Sequence, residues 1–418
     1  LTALLIWTIA AGTIAGILLR PKNWPEAIWA CAGAVLFVLF GLLPASQAFH
    51  AVGKGTDVYL FLTGMMLLAE LARREGVFDW LAGLAVAAAK GSAMRLFTLI
   101  FLVGTAVTVF LSNDATAVVL TPAVYAAVRK ARAKALPYLL ICAFIANAAS
   151  FVLPISNPAN LVVYGKALPP LVPWMRTFLL PSLCSIAATY FALRWIRRED
   201  LAGAVENAGE PVSLSTEGRW AAWGIAGTGA SLIGASAFGL DLGLPTLLAA
   251  GIAVLIATRA RLRALREIVM SVSWSVLPLV AGLFVMVEAL NRAGAVRDVA
   301  GLLQRCSELP HMAGALAASF GIAALSNVMN NLPSGLLAGG ALQVGPAPAY
   351  IRDAVLIGVD LGPNLSVTGS LATVLWLIAI RREGERISAW EFLKAGGIVM
   401  PPALLLATLA ATLITLIK

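Results

Sequence analysis

Charge-poor apolar stretches close to the length of a bilayer recur along almost the whole chain, and no other feature restricts its folding so severely. A spanning helix needs roughly 20 such residues. Stretches that answer this description lie at 1–19, 26–43, 57–74, 137–165, 172–196, 219–239, 243–259, 268–291, 350–380 and 390–417. With 60% of 418 residues hydrophobic and only 12% charged, there is too little polar surface to coat a soluble globule. The expected class is an all-α polytopic membrane protein with about ten spans. The first run reaches Leu19 without a small-residue cleavage site, so it reads as a span and not as a signal peptide. The net charge of +9 comes from Lys and Arg gathered at helix ends, without the aromatic interleaving of a nucleic-acid surface, and therefore signals topology and not a nucleic-acid partner.

The chain repeats itself. GMMLLAELARREGVFDWLAGL, Gly64 to Leu84, aligns with GLFVMVEALNRAGAVRDVAGL, Gly282 to Leu302, at an offset of 218 residues and with seven identities, Glu70 with Glu288 among them. Farther on, Leu111-Ser112-Asn113 matches Leu325-Ser326-Asn327, and each triplet precedes a proline, Pro122 or Pro333. Two repeats are expected, 1–198 and 219–418, joined by a cytoplasmic linker at 199–218. Each would hold five spans and one anomalous segment. Because five is odd, the second repeat should cross the membrane in the opposite sense. With both ends of 94–129 in the cytoplasm, 22 of the 30 Lys and Arg fall inside, which fixes the expected orientation and puts both termini in the periplasm.

The anomalous segments, 94–129 and 312–342, are long enough to enter, turn and return, yet carry SND and SNVMNN at their centres. They are expected to be re-entrant hairpins, with 94–129 entered from the cytoplasm. Irregular backbone at membrane depth is tolerated only inside protein or along a wet cavity, so the tips should meet at a polar site. After each hairpin comes a span interrupted by turn chemistry, LPISNPANL within 137–165 and DLGPNLSVTGSL within 350–380. Proline removes an amide and glycine permits unusual dihedrals, so both helices should break there. The expected binding groups are Ser112, Asn113, Thr116, Asn147, Ser156, Asn157, Asn160, Ser326, Asn327, Asn330, Asn331, Asn364, Thr368 and Ser370, with Ser366 beside them.

Asp114 sits at membrane depth, where a carboxylate costs roughly 2.5 to 3.5 kcal/mol even on the mild insertion scale. No Lys or Arg within the membrane offers itself as a partner, so Asp114 is expected to carry protons. Asp360 precedes the second break and is divided between helix capping and the same role. Glu70 and Glu288 lie near Arg73, Arg74 and Arg292, where surface pairing is expected, while Asp57 and Asp241 fall in outer loops. Cys31, Cys142, Cys184 and Cys306 are scattered without metal-ligand spacing, so no cysteine-held metal and no cofactor are expected.

SNDATAVVLTP, SNVMNNLPS and DLGPNLSVTGSLATVLW resemble the signature segments of the ArsB arsenite and antimonite efflux permeases of the ion transporter superfamily. The resemblance implies a scaffold made of the early helices of each repeat and a moving unit of hairpins and broken helices. It also implies proton-coupled export of trivalent metalloid across a bacterial inner membrane. The chain departs from that family at Asn147, where an Asp often stands, and at Asn364, where a Lys does. It also departs from Na⁺-dicarboxylate relatives, which place Thr after Ser-Asn in both hairpins; Asp114 and Val328 stand there instead.

Arsenous acid is uncharged at neutral pH and presents three hydroxyls, so Asn, Ser and backbone groups suit it. The sequence contains no Walker motif, and any use of ATP would fall to a separate cytoplasmic ATPase subunit. The alternatives are a Na⁺/H⁺ or organic-anion transporter of the same superfamily and, more remotely, an intramembrane enzyme. The chain lacks the Ser/His, Ser/Lys and GxGD arrangements that such an enzyme would use.

Overall fold

The computed structural model describes residues 2–206, 213–345 and 347–417, so residues 207–212 of the expected linker lie outside the described residues. Every named element is a helix. The chain opens with α1 (Thr2–Leu19), α2 (Glu26–Leu39), α3 (Ala45–Lys54), α4 (Thr56–Arg74) and α5 (Val77–Ala89). Then α6 (Ala93–Phe110) leads through a π-helical segment, Ala115–Leu120, into α7 (Thr121–Lys130). Next, α8 (Ala135–Ala148) and α9 (Pro158–Tyr164) flank a short 3-10 turn, Pro154–Ser156, and α10 (Leu171–Ile196) follows.

The second series has the same order. It comprises α11 (Thr216–Ala237), α12 (Gly243–Ala257), α13 (Leu262–Ser271), α14 (Val276–Arg292) and α15 (Ala295–Glu308). α16 (His311–Met329) and α17 (Asn331–Val344) come next. α18 (Ala349–Leu361) and α19 (Leu371–Arg382) then flank the turns Gly362–Asn364 and Val367–Gly369, and α20 (Ala389–Ile417) ends the described chain.

Five helices, α1, α6, α10, α16 and α20, are long and apolar enough to cross a membrane, and the number rises to seven if the bent pairs α3/α4 and α13/α14 each count as one span. The expected ten differ because the runs 137–165 and 350–380 are interrupted, because α2 and α12 are only 14 and 15 residues long, and because α6 and α16, counted here, belong to the expected hairpins. At 1.5 Å per residue the 14 residues of α8 reach only about 21 Å, so the halves of a broken run are each too short to cross alone. The run expected at 268–291 is likewise divided, with Val272 to Ser275 separating α13 from α14 at a 40° bend. α3, α5, α13 and α15 were not foreseen as separate helices. α13 and α15 mix charged and apolar residues, and α3 mixes small, polar and apolar ones with a single charge at Lys54, which an average over a membrane-length window conceals.

Packing repeats along with the element order. α1 lies on α2 as α11 lies on α12; α4 packs on α12 as α14 packs on α2; α5 covers α6 and α7 as α15 covers α16 and α17. α8 meets α6, α7 and α10, α18 meets α16, α17 and α20, and α10 packs along α20. Gly64 and Gly282, which align at the 218-residue offset, sit at two of these crossings. A Cβ on Gly64 would lie 2.7 Å from the Thr246 carbonyl oxygen of α12, and one on Gly282 would lie 2.7 Å from that of Ala30 on α2. Helices in lipid gain little from apolar burial against one another, so such close backbone approach supplies their cohesion. Asp57, expected to be solvated, instead accepts from the Gly243 amide at 2.7 Å and caps α12 from a neighbouring helix.

Gly64→Ala and Gly282→Ala should therefore each destabilise the protein by about 1 to 3 kcal/mol through overpacking. Gly251→Ala on α12, where a Cβ meets nothing within 4 Å, should be neutral or stabilising by up to about 1 kcal/mol. Unfolding in detergent, followed for all three variants, checks the contrast.

Candidate functional site

α6 stops at Phe110, and the following residues close the turn with their own side chains. Ser112 Oγ accepts from the Ala115 amide at 3.2 Å, and Asn113 Oδ1 accepts from the Asp114 amide at 2.9 Å. The π-helical segment that follows is a geometry frequent at functional sites. It carries Thr116, whose hydroxyl shares a hydrogen bond of 2.8 Å with that of Thr108. Asp114 is half-buried, and its carboxylate makes no hydrogen bond or ion pair among the described residues.

The break between α8 and α9 is held by amides. Asn160 donates to the carbonyls of Ser150, Leu153 and Pro154 at 2.9 to 3.4 Å, satisfying oxygens the interrupted helix has lost. Ser156 donates to the Val109 carbonyl at 3.0 Å and ties the break to α6. Asn157 caps α9 through the Ala159 amide at 3.0 Å while its Nδ2 donates to Asp360 on α18 at 2.7 Å.

On the other side, Asn327 donates to the carbonyls of Ala323 and Gly362, both at 2.8 Å, and accepts from Ser366 at 2.6 Å. Thr368 donates to the Asn327 carbonyl at 3.2 Å, and Ser370 caps α19 through the Thr373 amide at 3.1 Å. A second link joins the two broken regions, with Asn147 donating to Asn364 at 3.0 Å and Asn364 donating to the Phe144 carbonyl at 3.0 Å. Ser326 is buried, and its hydroxyl has no hydrogen-bond partner among the described residues.

A cavity of about 390 Å³ opens beside Glu70, Arg73 and Arg382, passes Met65, Met66 and Val118, and reaches Ser112, Asp114 and Pro158. Behind it, a void of about 30 Å³ is lined by Asn113, Asp114, Asn157, Asn331 and Ser370. Residues of the α6–α7 turn, the α17 N-terminus and both broken runs thus meet around one small space. Asn330 lines a neighbouring void of about 20 Å³ against α1 and α14. Thr116, Asn147, Ser156, Asn160, Ser326, Asn327, Asn364 and Thr368 line none of these three spaces, and Asp360 lies behind Asn157.

The α4 wall was not foreseen. Met65 and Met66 resemble ordinary core residues in sequence, and the expected pairing of Glu70 with Arg73 does form, at 2.8 Å, but at the cavity mouth. The only sequence hint was that α4 lies in the repeated segment. Glu288 pairs across with Lys54 at 2.8 Å, and its neighbour Arg292 instead donates to the Leu42 carbonyl.

Residues 3–359 match the profile of a transporter family described as citrate transporter, CitMHS. The chain belongs to that family. It is 27% identical to an arsenical pump membrane protein of Escherichia coli over 426 residues, covering 98% of each chain. It is 28% identical to that of Yersinia enterocolitica over 402 residues, covering 93% of this chain and 92% of the other. The resemblance carried by three short segments thus extends along nearly all of the sequence, and the relatives are transporters and not enzymes. Among solved structures, the Alcanivorax borkumensis YdaH transporter superposes with a TM-score of 0.57 at 15% identity, covering 91% of this chain and 88% of that one. The Neisseria gonorrhoeae MtrF pump gives 0.50 at 13% identity, with coverage of 92% and 84%. At such identities the likeness concerns the fold alone. The chain is a multi-pass membrane transporter.

Asn330 has φ 76 and ψ 153, close to a region that glycine alone adopts freely, and it caps α17 by accepting from the Leu332 amide at 3.4 Å. Asn330→Ala should lose that cap, keep the strain and destabilise by about 1 to 3 kcal/mol. Asn330→Gly should stay within about 1 kcal/mol of the parent, because relief of strain offsets the lost cap. Thermal unfolding of the purified variants checks the difference.

Proposed function

We propose that the chain is a secondary active exporter of trivalent metalloid, arsenite or antimonite as neutral hydroxides, working by alternating access in exchange for protons. The observation that carries this reading is the convergence of Asn113, Asp114, Asn157, Asn331 and Ser370 on one void at the end of an open cavity. A solute with three hydroxyls finds neutral donors and acceptors there, beside one unpaired acid. The arsenical pump membrane proteins aligned along almost the whole chain supply the substrate class.

The architecture we assign is two inverted repeats, 1–198 and 219–418, each of five spans and one re-entrant hairpin, 94–129 and 312–342. The matched element order and matched packing of the two series support it. With the hairpin 94–129 entering from the cytoplasm and both termini in the periplasm of an inner membrane, the mouth at Arg73 and Arg382 faces the cytoplasm. Cargo then enters from the cell interior and binds near Asp114. The opposite opening releases it outward as Asp114 takes a proton inward.

Citrate fits this site less well. Arg73 and Arg382 stand at the mouth, but the inner end presents Asp114 and, behind Asn157, Asp360, with no Lys or Arg among the lining residues of the small void. A multiply charged anion would meet like charge where the dielectric is low. The unpaired Asp114 carboxylate favours a second reading, exchange of a monovalent cation such as Na⁺ for protons, which would show as salt-dependent transport in the absence of metalloid.

Everted vesicles provide the test. One proton moving down 100 mV supplies about 2.3 kcal/mol, enough for roughly a fiftyfold gradient of a neutral solute. Vesicles with an acid interior should accumulate arsenite, and Asp114→Asn should abolish the accumulation; unchanged accumulation would remove Asp114 from the mechanism. Replacing Cys31, Cys142, Cys184 and Cys306 together by Ala should leave accumulation within about twofold of the parent, since none lines the three spaces described and thiolate trapping is not invoked. Collapse of export in that variant would revive a thiolate site.

A further inference from the structure

Asp360 is fully buried near the C-terminal end of α18. Its Oδ1 accepts from Asn157 Nδ2 at 2.7 Å, and its Oδ2 accepts nothing among the described residues. The Ser150 hydroxyl lies close enough to act on it electrostatically, although that hydroxyl donates to the Asn147 carbonyl at 2.8 Å. No Lys, Arg, His, Asp or Glu of α8, α9, α15, α16, α17 or α20 acts on it among the described residues. The nearest acid on its own helix, Asp353, lies two turns away and is bonded by Tyr164 and Thr415.

A carboxylate enclosed in this way, with one neutral donor, is poorly stabilised as an anion. Its surroundings also hold acceptors in excess. Asn160 stands one turn after Asn157 on the same helix face and gives its Nδ2 to backbone carbonyls, leaving its own Oδ1 without a donor. The Asn147 Oδ1, joined to this cluster through Ser150, is likewise unpartnered. In a region so poor in donors, the unpartnered Asp360 Oδ2 is the acceptor on which an added proton would remove a buried charge. No cavity described above opens onto Asp360, which favours a proton over a metal cation needing a coordination sphere.

Asn157 touches both sides. Its amide nitrogen bonds Asp360, its oxygen caps α9, and it lines the small void together with Asp114. We propose that Asp360 holds an exchanged proton behind the cargo space, and that Asn157 transmits its protonation to that space. This deepens the antiport reading and rests on it. The cycle balances in protons: when Asp360 is ionised, the Asn157–Asp360 bond is charge-assisted and fixes α9 to α18. A proton arriving at Oδ2 removes the charge, weakens the bond and frees Asn157 and the α9 N-terminus. Asp360 is thus a positioning residue for cargo, whereas Asp114 faces the cargo directly.

The test uses the full chain in everted vesicles, with arsenite as probe and two readouts: accumulation driven by an acid interior, and arsenite counterflow without a gradient at several pH values. Asp360→Asn copies the protonated acid, since its amide is neutral and can still accept from Asn157. Accumulation should fall by about fiftyfold per proton uncoupled at 100 mV, while counterflow persists at a reduced rate whose pH profile is flatter than the parent's and keeps only what Asp114 contributes. Asn157→Ala, which leaves the acid in place, should flatten the same pH profile, and the double variant should be no worse than either single one. An Asp360→Asn protein that accumulates like the parent, or one whose counterflow keeps the parental pH profile, overturns the proposal. So does full additivity of the two substitutions. Parent vesicles that fail to accumulate arsenite would instead overturn the antiport reading itself.

Discussion

A helix interrupted inside hydrocarbon leaves carbonyls and amides that water cannot reach, and the arrangement of this protein depends on satisfying them. Three asparagines do most of that work. Asn160 takes carbonyls of the α8–α9 break, Asn327 takes those of Ala323 and Gly362, and Asn364 takes that of Phe144. With the loops braced by these amides, a smaller group of side chains remains directed at the shared void. The division explains why so many polar residues accompany so small a space.

The matched scaffolding carries unmatched chemistry. One turn ends in Asp114, half-buried and facing the cavity; at the corresponding place after the second Ser-Asn pair, Val328 is 68% exposed. The second broken run contributes Asp360, buried against the first through Asn157. The two acids therefore belong to different halves of the chain, one bonded to Asn157 and the other lining the same void as Asn157.

Much of the frame was legible in the sequence because its causes are local. Hydropathy located the helices, and proline and glycine located the interruptions at Leu153 to Pro158 and at Gly362 to Ser370. The offset of Gly64 and Gly282 marked two of the close backbone crossings. The short amphipathic helices α3, α13 and α15 escaped because their polar residues, mostly charged in α13 and α15, dilute any membrane-length average. The site was only partly legible, for a different reason. Asparagine is suited equally to binding a hydroxylated solute and to capping broken backbone, so residue type alone could not separate Asn157 from Asn160. The cavity wall at Met65 and Met66 was hidden because nothing in a thioether distinguishes lining from core.

The glycine crossings also bear on how the polypeptide is assembled. Because α2 rests on α14 and α4 on α12, the first series has no complete partner surface until residues from the second have been synthesised and inserted. During translation the early helices must wait in the bilayer with their glycine grooves filled only by lipid. The packing of the first series is therefore completed only by helices that lie more than 150 residues farther along the chain.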